Sequence, residues 1–217
     1  MKKGITKILS ACVFAFVVFL AAGTQSKAAV NMGVKQTGAG SSYVDLAWNA
    51  QLGAGHYHTQ FSQDGKNWID MEYSSSPSDS VYNLTQGASY YARVVAYNGS
   101  HYSGTHVMVG VSETAIVSTK PTEVTGLTQT AAGVNSVSMS WNASAGAASY
   151  VIYGYINYNW TQIGTSATNS ATITGVAATT STKFSVAAVK NVTGGTVTGD
   201  QCSGVEMKAI PIKVSRI

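Results

Sequence analysis

Four histidines, His56, His58, His101 and His106, are the residues of this chain best suited to proton transfer or metal ligation, and none occurs after His106. His56 and His58 are two apart, which on a strand puts both side chains on one face, opposite Tyr57. His56, His58 and His101 are candidate ligands for a divalent metal, because imidazole suits that class of ion. No cysteine stands near them, no carboxylate joins them in a ligand-like pattern, and the second half of the chain has no counterpart. The expectation is therefore that they do not form a metal site and that the chain needs no cofactor. The abundant serines include none in a Gly-x-Ser-x-Gly elbow, the nine carboxylates show no close pair suited to glycoside hydrolysis, and no glycine-rich phosphate loop is present. No enzyme is expected.

The elements that would carry these side chains are legible in an internal repeat. Gln36-Thr37 recurs as Gln129-Thr130, Ala39-Gly40 as Ala132-Gly133, Trp48-Asn49-Ala50 as Trp141-Asn142-Ala143, Gly53-Ala54 as Gly146-Ala147 and Tyr57 as Tyr150, all at one offset. One deletion later, Trp68 falls on Trp160, Val94 on Val186 and Ala96 on Ala188. A register this long marks a duplicated module. Val44, Leu46 and Trp48 alternate with Asp45, Ala47 and Asn49, and Val137, Met139 and Trp141 alternate with Ser138, Ser140 and Asn142. That period of two means strands with one buried face. Tyr57-Thr59-Phe61 and Tyr150-Ile152 follow, then turns at Asp64-Gly65 and Asn157, then Tyr90-Ala92-Val94-Ala96 and Phe184-Val186-Ala188. The pattern is all-β, two tandem sandwiches over residues 30–118 and 121–213, with a short, stiff connection near Ser118-Thr119-Lys120-Pro121.

The first residues read as a targeting segment. Lys2, Lys3 and Lys7 precede an apolar run from Ile8 to Ala22, too short to span a bilayer comfortably, and Ser26-Lys27-Ala28 supplies small residues for cleavage before Ala29. Residues 1–28 are thus assigned as a signal peptide, and the mature protein as secreted, either free or held at the cell surface. The whole chain has 13 Lys and Arg against 9 Asp and Glu, but Lys2, Lys3, Lys7 and Lys27 leave with the signal, so nine basic residues face nine acidic ones. Neither nucleic acid nor a membrane is expected as a partner after cleavage, and a monomer is expected. Cys12 leaves too, so Cys202 has no intrachain partner. Its place near the chain end suggests an incidental small residue; the alternatives are interchain pairing or a reactive thiol.

Several of these residues together resemble the fibronectin type III family. They are a Trp in the second strand (Trp48, Trp141), a Tyr-rich third strand, a Ser-x-Asp-Gly turn before Trp68, and Leu84 six residues before Tyr90. The run Tyr90-Tyr91-Ala92-Arg93-Val94-Val95-Ala96-Tyr97-Asn98 is similar to that family's sixth strand. The resemblance implies immunoglobulin-like sandwiches with Trp48 and Trp141 in the cores and Tyr90 as a tyrosine corner, its hydroxyl bonded to nearby backbone. In the second module the corner position falls on Thr182. The resemblance also implies that the third, sixth and seventh strands share a sheet. Parity then exposes Tyr91, Arg93 and Tyr97 beside His58 and Gln60, with Tyr102 in the following loop. Tyr153, Tyr155 and Tyr158 would be presented similarly in the second module, near Trp160. Flat rings beside polar groups can stack on sugars or anchor a protein. The functional expectation is a non-catalytic binding pair for an extracellular glycan or protein; the alternative is a passive spacer. The Arg-Gly-Asp of integrin-binding members is absent between Asn98 and Gly104.

Overall fold

The computed structural model describes residues 29–102, 106–178 and 181–211. The assigned signal peptide, 1–28, and residues 212–213 lie outside them. The first module runs through β1 (Lys35–Ala39), β2 (Val44–Ala47), β3 (His56–Ser62), β4 (Ile69–Ser74), β5 (Ser78–Val81), β6 (Ser89–Tyr97), β7 (Met108–Val111) and β8 (Ala115–Ser118). One sheet has the order β1-β2-β5 and the other β4-β3-β6-β7, with β8 also paired to β6. The second module repeats this with β9 (Thr128–Gly133), β10 (Ser136–Ser140), β11 (Ser149–Ile156), β12 (Asn159–Ser166), β13 (Ser170–Thr174), β14 (Thr182–Val192), β15 (Gly195–Thr198) and β16 (Val205–Met207). Its sheets are β13-β10-β9 and β12-β11-β14-β15, with β16 on β14. The third, sixth and seventh strands of the first module do share a sheet.

Alternation builds the cores. Val44 and Leu46 are buried while Asp45 and Ala47 are half-buried, and on β3 Tyr57, Thr59 and Phe61 turn inward. These meet Ala92, Val94 and Ala96 of β6 and Val117 of β8. Each buried Val, Leu or Phe contributes about 1.5–3 kcal/mol relative to leaving it in water. In the second module Val137 and Met139 face Tyr150, Ile152, Phe184, Val186 and Ala188. Trp48 and Trp141 each stand one residue past their strand, their backbone N–H groups donating to Pro77 O and Asn169 O at 3.0 Å. Both indoles are buried in the cores.

Tyrosine hydroxyls tie loops to these cores. Gln51 N–H donates to the Tyr57 hydroxyl at 3.1 Å, and Ser144 N–H to that of Tyr150 at 3.0 Å. Thr85 N–H donates to the Tyr90 hydroxyl at 3.0 Å. Thr182, where register would place a second such Tyr, instead opens β14 opposite Met207. Cys202 is not incidental: it is buried among Phe184, Val186 and Met207, its sulfur accepting from Val186 N–H at 3.2 Å. The Ser185 hydroxyl donates to its carbonyl at 2.7 Å. Packing of this kind encloses the thiol and removes it from interchain pairing.

The modules brace one another. Thr193 N–H donates to Ile116 O at 2.8 Å, and Ile116 N–H to Thr193 Oγ1 at 2.7 Å. Lys120 Nζ meets Asp200 Oδ1 at 2.7 Å, and buried Lys190 donates to Gly87 O.

Candidate functional site

Two aromatic clusters stand on the outer faces of the five-stranded sheets, one in each module. In the first, β3 sends His56, His58 and Gln60 outward because Tyr57, Thr59 and Phe61 fill the core. Antiparallel pairing sets His56 opposite Tyr97, His58 opposite Val95 and Tyr73, and Gln60 opposite Arg93 and Asp70. The start of the β6–β7 connection, residues 98–102, folds back over this face because Gly55 has no Cβ to collide with the Gly99 backbone. Gly55 N–H donates to Tyr97 O at 2.7 Å, and Gly99 has φ 72°, a left-handed turn that suits glycine. His101 is thereby carried over β3.

The rings close up into one group. His56 is 2% exposed and stacks on Tyr97 with centroids 5.3 Å apart. His101 and His106 stand edge-on to His56 at 5.5 and 5.2 Å. His58 Nε2 lies 3.3 Å from His101 Nδ1, and His58 Nδ1 lies 3.9 Å from Asp70 Oδ1. One ring nitrogen from each of His56, His58 and His101 falls within 4.8 Å of the others. Burial holds the His58 pKa below its ordinary value, with Asp70 opposing and the neighbouring histidines assisting. Burial raises that of Tyr97. Tyr73 stacks on His101 at 4.1 Å and shares a hydroxyl–hydroxyl bond with Tyr102, which raises the Tyr73 pKa.

The remaining first-module residues are partly committed. Arg93 lies 4.1 Å over the Trp68 ring and donates from Nε to Gln60 Oε1 at 2.7 Å, while Gln60 donates to Asp70 Oδ1 at 2.7 Å. Burial lowers the Arg93 pKa. Tyr91 is exposed beside Gly65, in a loop that Asp64 organises by accepting from Lys66 and Asn67 N–H at 2.8 Å. Those bonds hold its carboxyl well below the usual range. Tyr97 is wedged among histidines, and Tyr102, 81% exposed, is the free rim of the group. Tyr73 and Asp70 were not singled out in the sequence. They join the face through β4, whose register shifts at a bulge between Thr59 and Gln60.

In the second module Tyr153 is half-buried opposite Ser185 and Gln162. Tyr155 pairs across the β11–β12 hairpin with Trp160, ring centroids 5.3 Å apart. Asn157 and Tyr158 form the two-residue turn with φ 49° and 64°, the left-handed pair of a type I′ hairpin. Tyr158 is 90% exposed, and Ile156 beside it is also exposed. Trp160 rests on Gly204, where a Cβ would strike the indole. The hairpin thus carries a fixed ring pair, Tyr155 and Trp160, and a bare ring, Tyr158, at its turn.

No family model matches the chain. A curated relative, chitinase A1 of Niallia circulans, is 33% identical over 162 residues, covering 71% of this chain and 22% of that protein's length. Among solved structures, a two-domain fibronectin type III segment of chicken tenascin aligns with TM-score 0.41 and 16% identity, over 81% of this chain and 97% of that one. The first three fibronectin domains of chicken CNTN1 align with TM-score 0.46 and 15% identity, over 84% and 68%. On the strand order of its sheets and the duplicated Trp and Tyr of its cores, the chain is a tandem pair of fibronectin type III-like β-sandwiches.

Proposed function

We propose that this chain is a non-catalytic extracellular binding pair whose second module holds a glycan through the β11–β12 hairpin. The observation that carries the reading is Tyr158. A bulky ring at a positive-φ turn position favoured by glycine is strained, and it is displayed to solvent rather than packed. Below it on the same hairpin, Tyr155 and Trp160 supply a pair of flat rings, the kind of surface that sugar faces stack upon. The name of the bacterial relative, a chitinase, points to a polysaccharide as the first ligand to try. The test is a pull-down on insoluble chitin and a glycan array with the full chain and with a Tyr155→Ala, Tyr158→Ala double variant. Retention by the wild type and loss of about tenfold or more in affinity in the variant, roughly 1.4 kcal/mol, supports the reading. Equal retention of both proteins, or none by either, overturns it.

A spacer role is the second reading. It is supported by the contacts from Lys120 to Asp200 and from Thr193 to Ile116, which join the two sandwiches at their junction. Absence of any glycan or protein ligand for the folded chain, together with a single rigid inter-module orientation in solution, is what that reading expects.

A further inference from the structure

We infer that His56, His58 and His101 bind one divalent transition-metal ion of the zinc and copper(II) class on the outer face of the first module. The three rings come from separate constraints. Two are fixed by the parity of β3, and the third is carried in by a loop that Gly55 and Gly99 press against that strand. One nitrogen from each converges within 4.8 Å. His58 Nε2 and His101 Nδ1 are 3.3 Å apart, close to the roughly 3.4 Å edge of a tetrahedron with metal–nitrogen bonds of about 2.0–2.1 Å. Without an ion, one of that pair must hold a proton between them; an ion replaces it.

The buried His56 gives an independent pointer. Its Nδ1 lies 3.0 Å from Gly99 O, which can only accept, so Nδ1 carries the proton and Nε2 the lone pair. That Nε2 is buried and has no hydrogen-bond partner. A buried lone pair without a partner is costly, and an imidazole whose other nitrogen donates to a backbone carbonyl is oriented as metal-ligating histidines are. Asp70 Oδ1, 3.9 Å from His58 Nδ1, is an electrostatic neighbour that favours a proton on that nitrogen and so leaves Nε2 free to ligate. The donor set is all imidazole, which favours zinc and copper(II) over calcium or magnesium. Three protein ligands leave a coordination position for an outside donor. This site is independent of the hairpin in the other module, so the two proposals fail separately.

The test uses the full chain without a polyhistidine tag, stripped by chelator and titrated calorimetrically with zinc chloride and with copper(II) chloride. Thermal unfolding is followed in parallel. His101→Ala, on a surface loop, and His58→Ala, half-buried, are the variants; circular dichroism shows that each is folded. One equivalent should bind, the first module should melt at higher temperature with metal, and copper should show nitrogen coupling in its paramagnetic resonance spectrum. Each histidine variant should lose about 100-fold or more in affinity and Asp70→Asn roughly 10-fold, as for loss of an orienting partner. No saturable binding by the wild type up to about 0.1 mM overturns the inference. So does binding that both histidine variants leave unchanged.

Discussion

Trp48 stands edge-on to Tyr57, ring centroids 5.4 Å apart at 68°, and Trp141 repeats the relation to Tyr150 at 5.3 Å and 67°. Each pair joins the two sheets of its module, and each tyrosine hydroxyl also receives a loop N–H. Trp48→Ala should cost the first module about 3–5 kcal/mol by leaving a cavity. Trp48→Phe should cost clearly less, because it keeps a ring and removes an indole N–H that is buried without a partner. Urea unfolding of the two variants, read as midpoints at constant slope, tests the order; equal losses would show that ring volume is not what the site requires.

Much of this fold was legible because period-two alternation and the repeat report the same thing. Val44-Leu46 and Val137-Met139 can face only a core, and placing Trp on both copies fixes the register between them. The outward direction of His56, His58, Arg93 and Tyr97 followed from the same parity. The convergence of the histidines did not. It depends on Gly55 admitting the Gly99 backbone, a contact between loops distant in sequence, and on a bulge that slides Tyr73 and Asp70 into line with β3. Bulges and loop closures leave no periodic trace. Cys202 was misread for a similar reason, since long-range bonding to β14, by Cys202 N–H to Val186 O at 3.0 Å and by the pairing of β16, is what brings it into the core.

Lys190 is buried against the first module, and burial holds its ammonium below the usual lysine pKa. The unfolded chain therefore keeps that proton to higher pH than the folded one. Between the lowered folded value and the unfolded value of 10.5, stability should rise with pH on this account. Lys190→Met removes the effect. The gap in unfolding free energy between wild type and variant, measured at a series of pH values from 8 upward, should move in the wild type's favour; a gap independent of pH would show that the ammonium is not desolvated.

Asp79 has the opposite sign. Its carboxyl is half-buried, and although it accepts from Ser80 N–H at 2.9 Å and from the Thr59 hydroxyl at 3.1 Å, desolvation raises its pKa above 3.8. The folded state then binds the proton more tightly than the unfolded one. Stability contributed here is present at pH below 3.8 and falls as pH rises through the raised folded value. Asp79→Asn, which keeps the Ser80 bond, should be more stable than wild type at pH 7, with the advantage shrinking toward pH 4. Denaturant midpoints at the two pH values decide it, and a variant that is weaker at pH 7 would refute the desolvation account.

Tyr158 joins stability to the proposed binding surface in one residue. Its φ of 64° puts a Cβ where a left-handed backbone crowds it, while Asn157 before it tolerates the same conformation well. Tyr158→Gly produces an Asn-Gly turn, the sequence that type I′ hairpins favour, and removes a side chain that is 90% exposed and so contributes little packing. The variant should gain about 1 kcal/mol in the second module by relief of strain. At the same time it should lose ring stacking with ligand. Tyr158→Ala keeps the strain and also removes the ring, so it should lose ligand without the gain in stability. A ring kept at a strained position for binding predicts that split; if Tyr158→Gly gains stability and keeps full ligand affinity, the hairpin tip has no part in recognition.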